Sequence, residues 1–176
     1  MTIRIVSILT CLLFVLPTAA QAEEFYGRVV AVRNGNEIKI LIDDNQRVKV
    51  MLAEINSPEK AQPYGNRSKQ ALSTLVFNKA VTVRAQSTDR YGRIVGRVYA
   101  DGVDVCAEMV RQGAAWVYRQ YARDQGLLIL EDEAQQKRVG LWDLPPAERV
   151  PPWQWRHPNR DATSQLQLDL LEPNKE

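Results

Sequence analysis

From Phe25 onward, apolar and polar side chains alternate in short runs separated by turn-forming residues. Phe25 to Arg33 alternates loosely and then meets Asn34-Gly35-Asn36, a tight-turn signal. Glu37 to Asp43 alternates cleanly, with Ile38, Ile40 and Ile42 on one face and Glu37, Lys39 and Asp43 on the other. Asp43-Asp44-Asn45 turns the chain again. Val48, Val50 and Leu52 then alternate with Lys49, Met51 and Ala53. A period of two with one apolar face predicts three consecutive antiparallel strands, each laid on a common core.

Pro58 and Pro63 mark a loop, after which Ala71, Leu72, Leu75 and Val76 share a helical face, with Ser68 as the predicted start. Val81 to Ala85 and Ile94 to Tyr99 read as a fourth and a fifth strand, joined by the polar loop Ser87 to Arg93. Asp101-Gly102 turns the chain. Val105 to Gln112 suits a short helix stopped by Gly113, and Leu127 to Val139 an amphipathic helix stopped by Gly140. The order β-β-β-α-β-β-α-α predicts an α+β, mainly β-barrel fold: a five-stranded Greek-key barrel of the OB type with three helices.

The ends of the chain differ from this middle. Residues 1–22 read as a signal peptide: Arg4 supplies the positive start, Ile5 to Leu16 the apolar run, and Ala20-Gln21-Ala22 the cleavage site. That run is short for a transmembrane helix. The expectation is an exported bacterial protein, periplasmic or secreted, with no membrane attachment after cleavage. Residues 23–144 form the predicted domain, and residues 145–176 an extension. The extension holds Pro145, Pro146, Pro151 and Pro152, then Trp153-Gln154-Trp155-Arg156, and ends in a polar, aperiodic tail from Asp161.

Composition narrows the function only slightly. The chain is 45% apolar and 25% charged with a net charge of +2, too small to argue for nucleic acid by itself. Without residues 1–22, 22 basic residues face 21 acidic ones. One cysteine then remains, Cys106, set among apolar neighbours, so a buried thiol is expected and an internal disulfide is impossible.

Five segments in register resemble the staphylococcal-nuclease family. They are Gly35-Asn36-Glu37, Val50 to Glu59, Pro63 to Leu72, Asp89-Arg90-Tyr91-Gly92-Arg93, and Gly140-Leu141-Trp142 with the later Pro151 to Arg156. The resemblance covers residues 25–156 and implies a calcium-dependent phosphodiesterase acting on DNA and RNA. In such a site two carboxylates hold Ca²⁺, a glutamate orients or deprotonates the attacking water, and two arginines bind the phosphate. The resemblance assigns the glutamate to Glu59 and one arginine to Arg93. Met51 stands at the other arginine position. Asn36 and Asn56, with Ser57 beside them, stand where the pattern has its metal aspartates, and Asn34 where many members have another acid. Arg90, Tyr91, Tyr118 and Tyr121 resemble the family's nucleic-acid-contacting stretches.

These departures bear on the chemistry. An asparagine carbonyl coordinates a hard cation without bringing charge, and methionine donates nothing to phosphate. Losing one transition-state donor costs about 3–4 kcal/mol. Glu54 is a possible substitute ligand if its segment is extended, since it would then share a face with Asn56. Lys49 is a possible substitute cation, and Glu37 adjoins Asn36 but faces the other way; the plainer reading of all three is solvated charge. The lone His157 lies outside the pattern. The expectation is a protein of nuclease descent with cleavage lost or strongly weakened and binding retained, a monomer with no cofactor unless active, when Ca²⁺ is implied. Single-stranded or duplex nucleic acid is the expected partner, with a protein partner possible through Trp153 and Trp155. The rival readings are an active endonuclease with a rewired metal site and an envelope adaptor without nucleic-acid contact.

Overall fold

The computed structural model describes residues 23–157. The predicted signal peptide, including Cys11, and the tail beyond residue 157 lie outside the described residues. Five strands close a barrel: β1 (Glu24–Asn34), β2 (Glu37–Leu41), β3 (Arg47–Leu52), β5 (Ala80–Thr88) and β6 (Ile94–Ala100). Their order is β3-β2-β1-β5-β6, and β3 pairs with β6 in parallel to complete the ring. The inward face read from the sequence is the inward face observed. Ile38, Ile40, Val50, Val83 and Val98 point inward and are fully buried.

The short strand β4 (Ile55–Asn56) lies between β3 and helix α1 (Gly65–Val76). The short strand β7 (Val103–Asp104) leads into helix α2 (Val105–Arg111). Strand β8 (Trp116–Val117) pairs with β4, and helix α3 (Gln125–Gln136) follows. Leu72 and Val76 of α1, Met109 and Val110 of α2 and Leu127 of α3 close the barrel core. Asp104 caps α2 by accepting from the Ala107 N–H at 3.0 Å, and Asp124 caps α3 by accepting from Gly126 N–H at 2.8 Å. Cys106 is the free, buried thiol expected, and burial pushes its pKa up to about 12.

Helix limits differ from the expectation at the start of α1 and at both ends of α3, which begins at Gln125 and not Leu127. Helix α1 begins at Gly65, not Ser68, after Tyr64 in the left-handed conformation. Ser68 lies inside it and donates to the Ala114 carbonyl at 2.6 Å. Helix α3 ends at Gln136, and Arg138, with φ of 50°, turns the chain in place of Gly140. Gly140 serves a close approach: a Cβ there would lie 2.3 Å from the Gly113 carbonyl oxygen. After two 3-10 turns, a one-turn helix α4 (Pro152–Trp155) ends the described chain.

Candidate nucleic-acid site at one rim of the barrel

The turn from β1 to β2 sets the first part of the site. Asn34 Oδ1 accepts from the Asn36 N–H at 3.0 Å, the local bond that makes asparagine a turn former. Gly35 lets this turn touch α1, because a Cβ there would lie 1.8 Å from Ser68 Oγ. Asn36 is thereby carried inward and is 3% exposed. Its Oδ1 accepts from Ser57 Oγ at 3.0 Å, and its Nδ2 donates to the Ile55 carbonyl at 3.4 Å. Asn56 and Ser57 are also buried. Asn36 and Ser57 thus meet in one corner as a neutral pair, and Asn56 is the buried residue between the two, Ile55 and Ser57, that Asn36 bonds.

The neighbouring charges behave otherwise. Glu37 sits opposite Met51 across β2 and β3 and is buried, against the expectation of a solvated charge. Its Oε2 accepts from Arg93 Nη1 at 2.8 Å, and Arg93 Nε donates to Asp89 at 2.7 Å. Partial burial opposes the charge on Arg93. The hydrogen bonds from Arg93 to Asp89 and Glu37 outweigh that and hold its pKa above the ordinary arginine value. Arg93 lies 5.3 Å from the ring of the exposed Tyr91, and Arg90 4.8 Å from the same ring.

Glu54 is corrected on both counts. It adopts φ of 66° in a turn, so it shares no extended face with Asn56, and it is buried rather than solvated. Its Oε2 accepts from the Arg123 and Asp124 N–H groups at 2.7 and 2.9 Å, and its Oε1 lies 3.5 Å from Arg97. Burial works against its ionisation, but the two N–H donors prevail and hold its pKa below the ordinary glutamate value. Arg97 is also paired with Asp104 and Asp124. Lys49 is exposed, opposite Lys39.

Glu59 forms the third part. Its N–H donates to Gln62 Oε1 at 2.7 Å, and its carboxylate pairs with Arg156 Nη1 at 3.2 Å. An aromatic wall, distant in sequence, joins it through Trp153, three residues before Arg156. Tyr118 meets Tyr121 edge-on at 4.8 Å, and Trp153 stacks flat on Tyr118 at 5.1 Å. Trp153 therefore packs back onto the domain, whereas Trp155 is 42% exposed. Trp116 meets Trp142 and Trp153, closing the barrel against the C-terminal residues.

A Ca²⁺ site does not fit this donor set. Among the described residues, no group of three or more His, Cys, Asp or Glu side chains is arranged to hold a metal ion. The corner where the resemblance implies two carboxylates has two buried amides, one of them engaged by Ser57. A hard divalent cation draws its affinity from ligand charge, which is missing there.

Against this geometry, residues 49–144 match the family model described as staphylococcal nuclease homologue. The chain belongs to the staphylococcal nuclease family. An "Uncharacterized endonuclease" of Escherichia coli is 46% identical over 146 residues, spanning 82% of this chain and 94% of that protein. One of the same description from Haemophilus influenzae is 41% identical, over 82% and 80%. The "Micrococcal nuclease" of Shigella flexneri is 38% identical over 152 residues, 80% of this chain and 86% of that one. The nuclease-family fold is thus shared along nearly the whole described chain, while two amides and a methionine stand at three positions of the pattern.

Gln62 gave no functional signal in the sequence, and Arg156 lay in a segment of the family resemblance without being assigned a role. The proline pairs before Trp153 were the available hint, since such pairs stiffen a segment.

Proposed function

We propose that this member of the staphylococcal nuclease family binds nucleic acid and has lost, or strongly weakened, calcium-dependent phosphodiester cleavage. The carrying observation is the Asn36 amide, buried and hydrogen-bonded to Ser57. Neither nearby acid compensates: Glu37 is taken by Arg93, and Glu54 by the Arg123 and Asp124 N–H groups. Arg93, Arg90, Tyr91 and Tyr121 supply cations and open rings suited to phosphate and base contact, at about 1–3 kcal/mol per stacked base. The same reading puts the protein outside the cytoplasm, supported by Arg4, the Ile5 to Leu16 run and Ala20-Gln21-Ala22.

A specific observation favours a second reading, an active endonuclease. Glu59 is present with an accessible carboxylate, Arg93 is present, and the relatives carry nuclease names. The experiment that decides is cleavage of single-stranded DNA, duplex DNA and RNA by the protein from Glu23 onward. It is run in Ca²⁺, Mg²⁺, Mn²⁺ and chelator, beside Glu59→Ala. The proposal expects no metal-dependent cutting above the Glu59→Ala level. Metal-dependent cutting that vanishes in Glu59→Ala would establish the active reading instead.

A further inference from the structure

We infer that Arg156 is a phosphate-contacting residue, delivered to the Glu59 corner by the C-terminal segment. The inference rests on the reading of this rim as a nucleic-acid site. Three independent contacts carry the segment there. The Val150 carbonyl accepts from Gln62 Nε2 at 2.9 Å, while Gln62 Oε1 holds the Glu59 N–H. Trp153 stacks on Tyr118 with an angle of 1° between the rings. Arg156 then reaches the Glu59 carboxylate at 3.2 Å. Pro151 and Pro152 limit the backbone freedom of the stretch between these contacts.

The chemistry of the pair points outward. A guanidinium has five N–H donors in a rigid fork. Arg156 has one short contact to Glu59, and its side chain remains 44% exposed, so donors stay available to an anion. An ion pair this open contributes little to folding, so stability gives no strong reason for its place. Arginine beside an acceptor carboxylate, with a free fork towards solvent, is suited to bidentate phosphate contact. Met51 offers no such donor at the position where the family pattern has arginine. The C-terminal segment thus brings a further cation to a site that lacks the second arginine of the family pattern.

The test is the affinity of the protein, from Glu23 to Glu176, for a labelled single-stranded oligonucleotide across a salt series. Each phosphate neutralised on a single strand contributes about 0.7 to the slope of log affinity against log salt. Arg156→Gln is expected to reduce the slope by about that amount, and Arg156→Lys to keep it. Trp153→Ala is expected to reduce it as well, because the segment then loses its anchor while Arg156 is still present. Circular dichroism and thermal melting verify that each variant is folded. An unchanged slope in Arg156→Gln would overturn the proposal. So would tighter binding, which would mean that the segment shields the site, or a lysine variant behaving like glutamine. An unchanged slope in Trp153→Ala would overturn delivery by the segment. If the unmutated protein shows no salt-dependent binding, the nucleic-acid reading falls first and the proposal with it, a result distinct from an unchanged slope.

Discussion

Asn36 and Glu37 are neighbours, both buried, and they face two different corners of one rim. The Asn36 corner is neutral: its polar atoms satisfy one another through Ser57 and the Ile55 carbonyl. The Glu37 corner is charged, and every charge in it has a partner, Glu37 and Asp89 on either side of Arg93. The difference is that buried acids persist in this protein where an arginine or backbone N–H groups compensate them. They are missing where a metal would have been needed to do so. A carboxylate pair in the Asn36 corner without a cation would be two unscreened like charges, so their replacement by amides fits a site without metal.

The largest effect should come from recharging the neutral corner. Asn36→Asp with Asn56→Asp and Met51→Arg is expected to raise calcium-dependent DNA cleavage, with Met51→Arg alone contributing about 10²–10³-fold once the metal is restored. A triple variant as inert as the parent would show that the corner is not the missing element. Next comes Glu54. Removing it leaves Arg97 short of one partner and two N–H groups without an acceptor, so Glu54→Ala should cost about 3–5 kcal/mol in denaturant unfolding. A near-neutral result would return Glu54 to the list of possible ligands. Glu37→Gln is expected to cost less, about 1–3 kcal/mol, because Arg93 retains Asp89.

The smallest effect concerns pH, where two buried glutamates should act in opposite directions. Burial raises the pKa of Glu131, an effect that the Val117 N–H and the largely exposed Arg119 offset only in part. Its favourable contribution is therefore present below the unfolded-state pKa and lost as pH rises through the folded one. Glu54, with its pKa held down, contributes above the unfolded-state value and loses that contribution as pH falls through the folded one. Melting temperatures from pH 3 to pH 8 should thus show Glu131→Gln gaining on the parent as pH rises. Glu54→Gln should fall furthest behind at the upper end. Parallel curves would contradict both assignments.

Most of the barrel was legible because its strands carry a strict period of two: Ile38, Ile40, Val50, Val83 and Val98 all face the core as the alternation requires. The turn at Asn34-Gly35-Asn36 was legible because its chemistry is local. What failed depended on residues distant in sequence or on backbone turns that no local residue announces. Glu37 reads as an outward strand residue until Arg93, 56 positions later, arrives to compensate it. Glu54 could share a face with Asn56 only in an extended segment, and nothing local announces φ of 66° at a glutamate. Helix α1 reads as starting at Ser68, because the stop on its N-terminal side is a left-handed tyrosine and not a capping side chain. Among the candidate site residues, Asn36, Ser57, Glu59 and Arg93 were proposed from the family pattern. Gln62 was not, and Arg156 lay in the pattern without a role, since both depend on contacts with a segment some 90 residues away.

The central claim is that the Asn36–Asn56 corner does not hold calcium, and calorimetric titration of Ca²⁺ into the protein from Glu23 onward tests it most directly. The account predicts no saturable heat at millimolar Ca²⁺ for the parent and the appearance of a saturable binding isotherm in Asn36→Asp with Asn56→Asp. Saturable binding by the parent, abolished by Asn36→Ala, would contradict it.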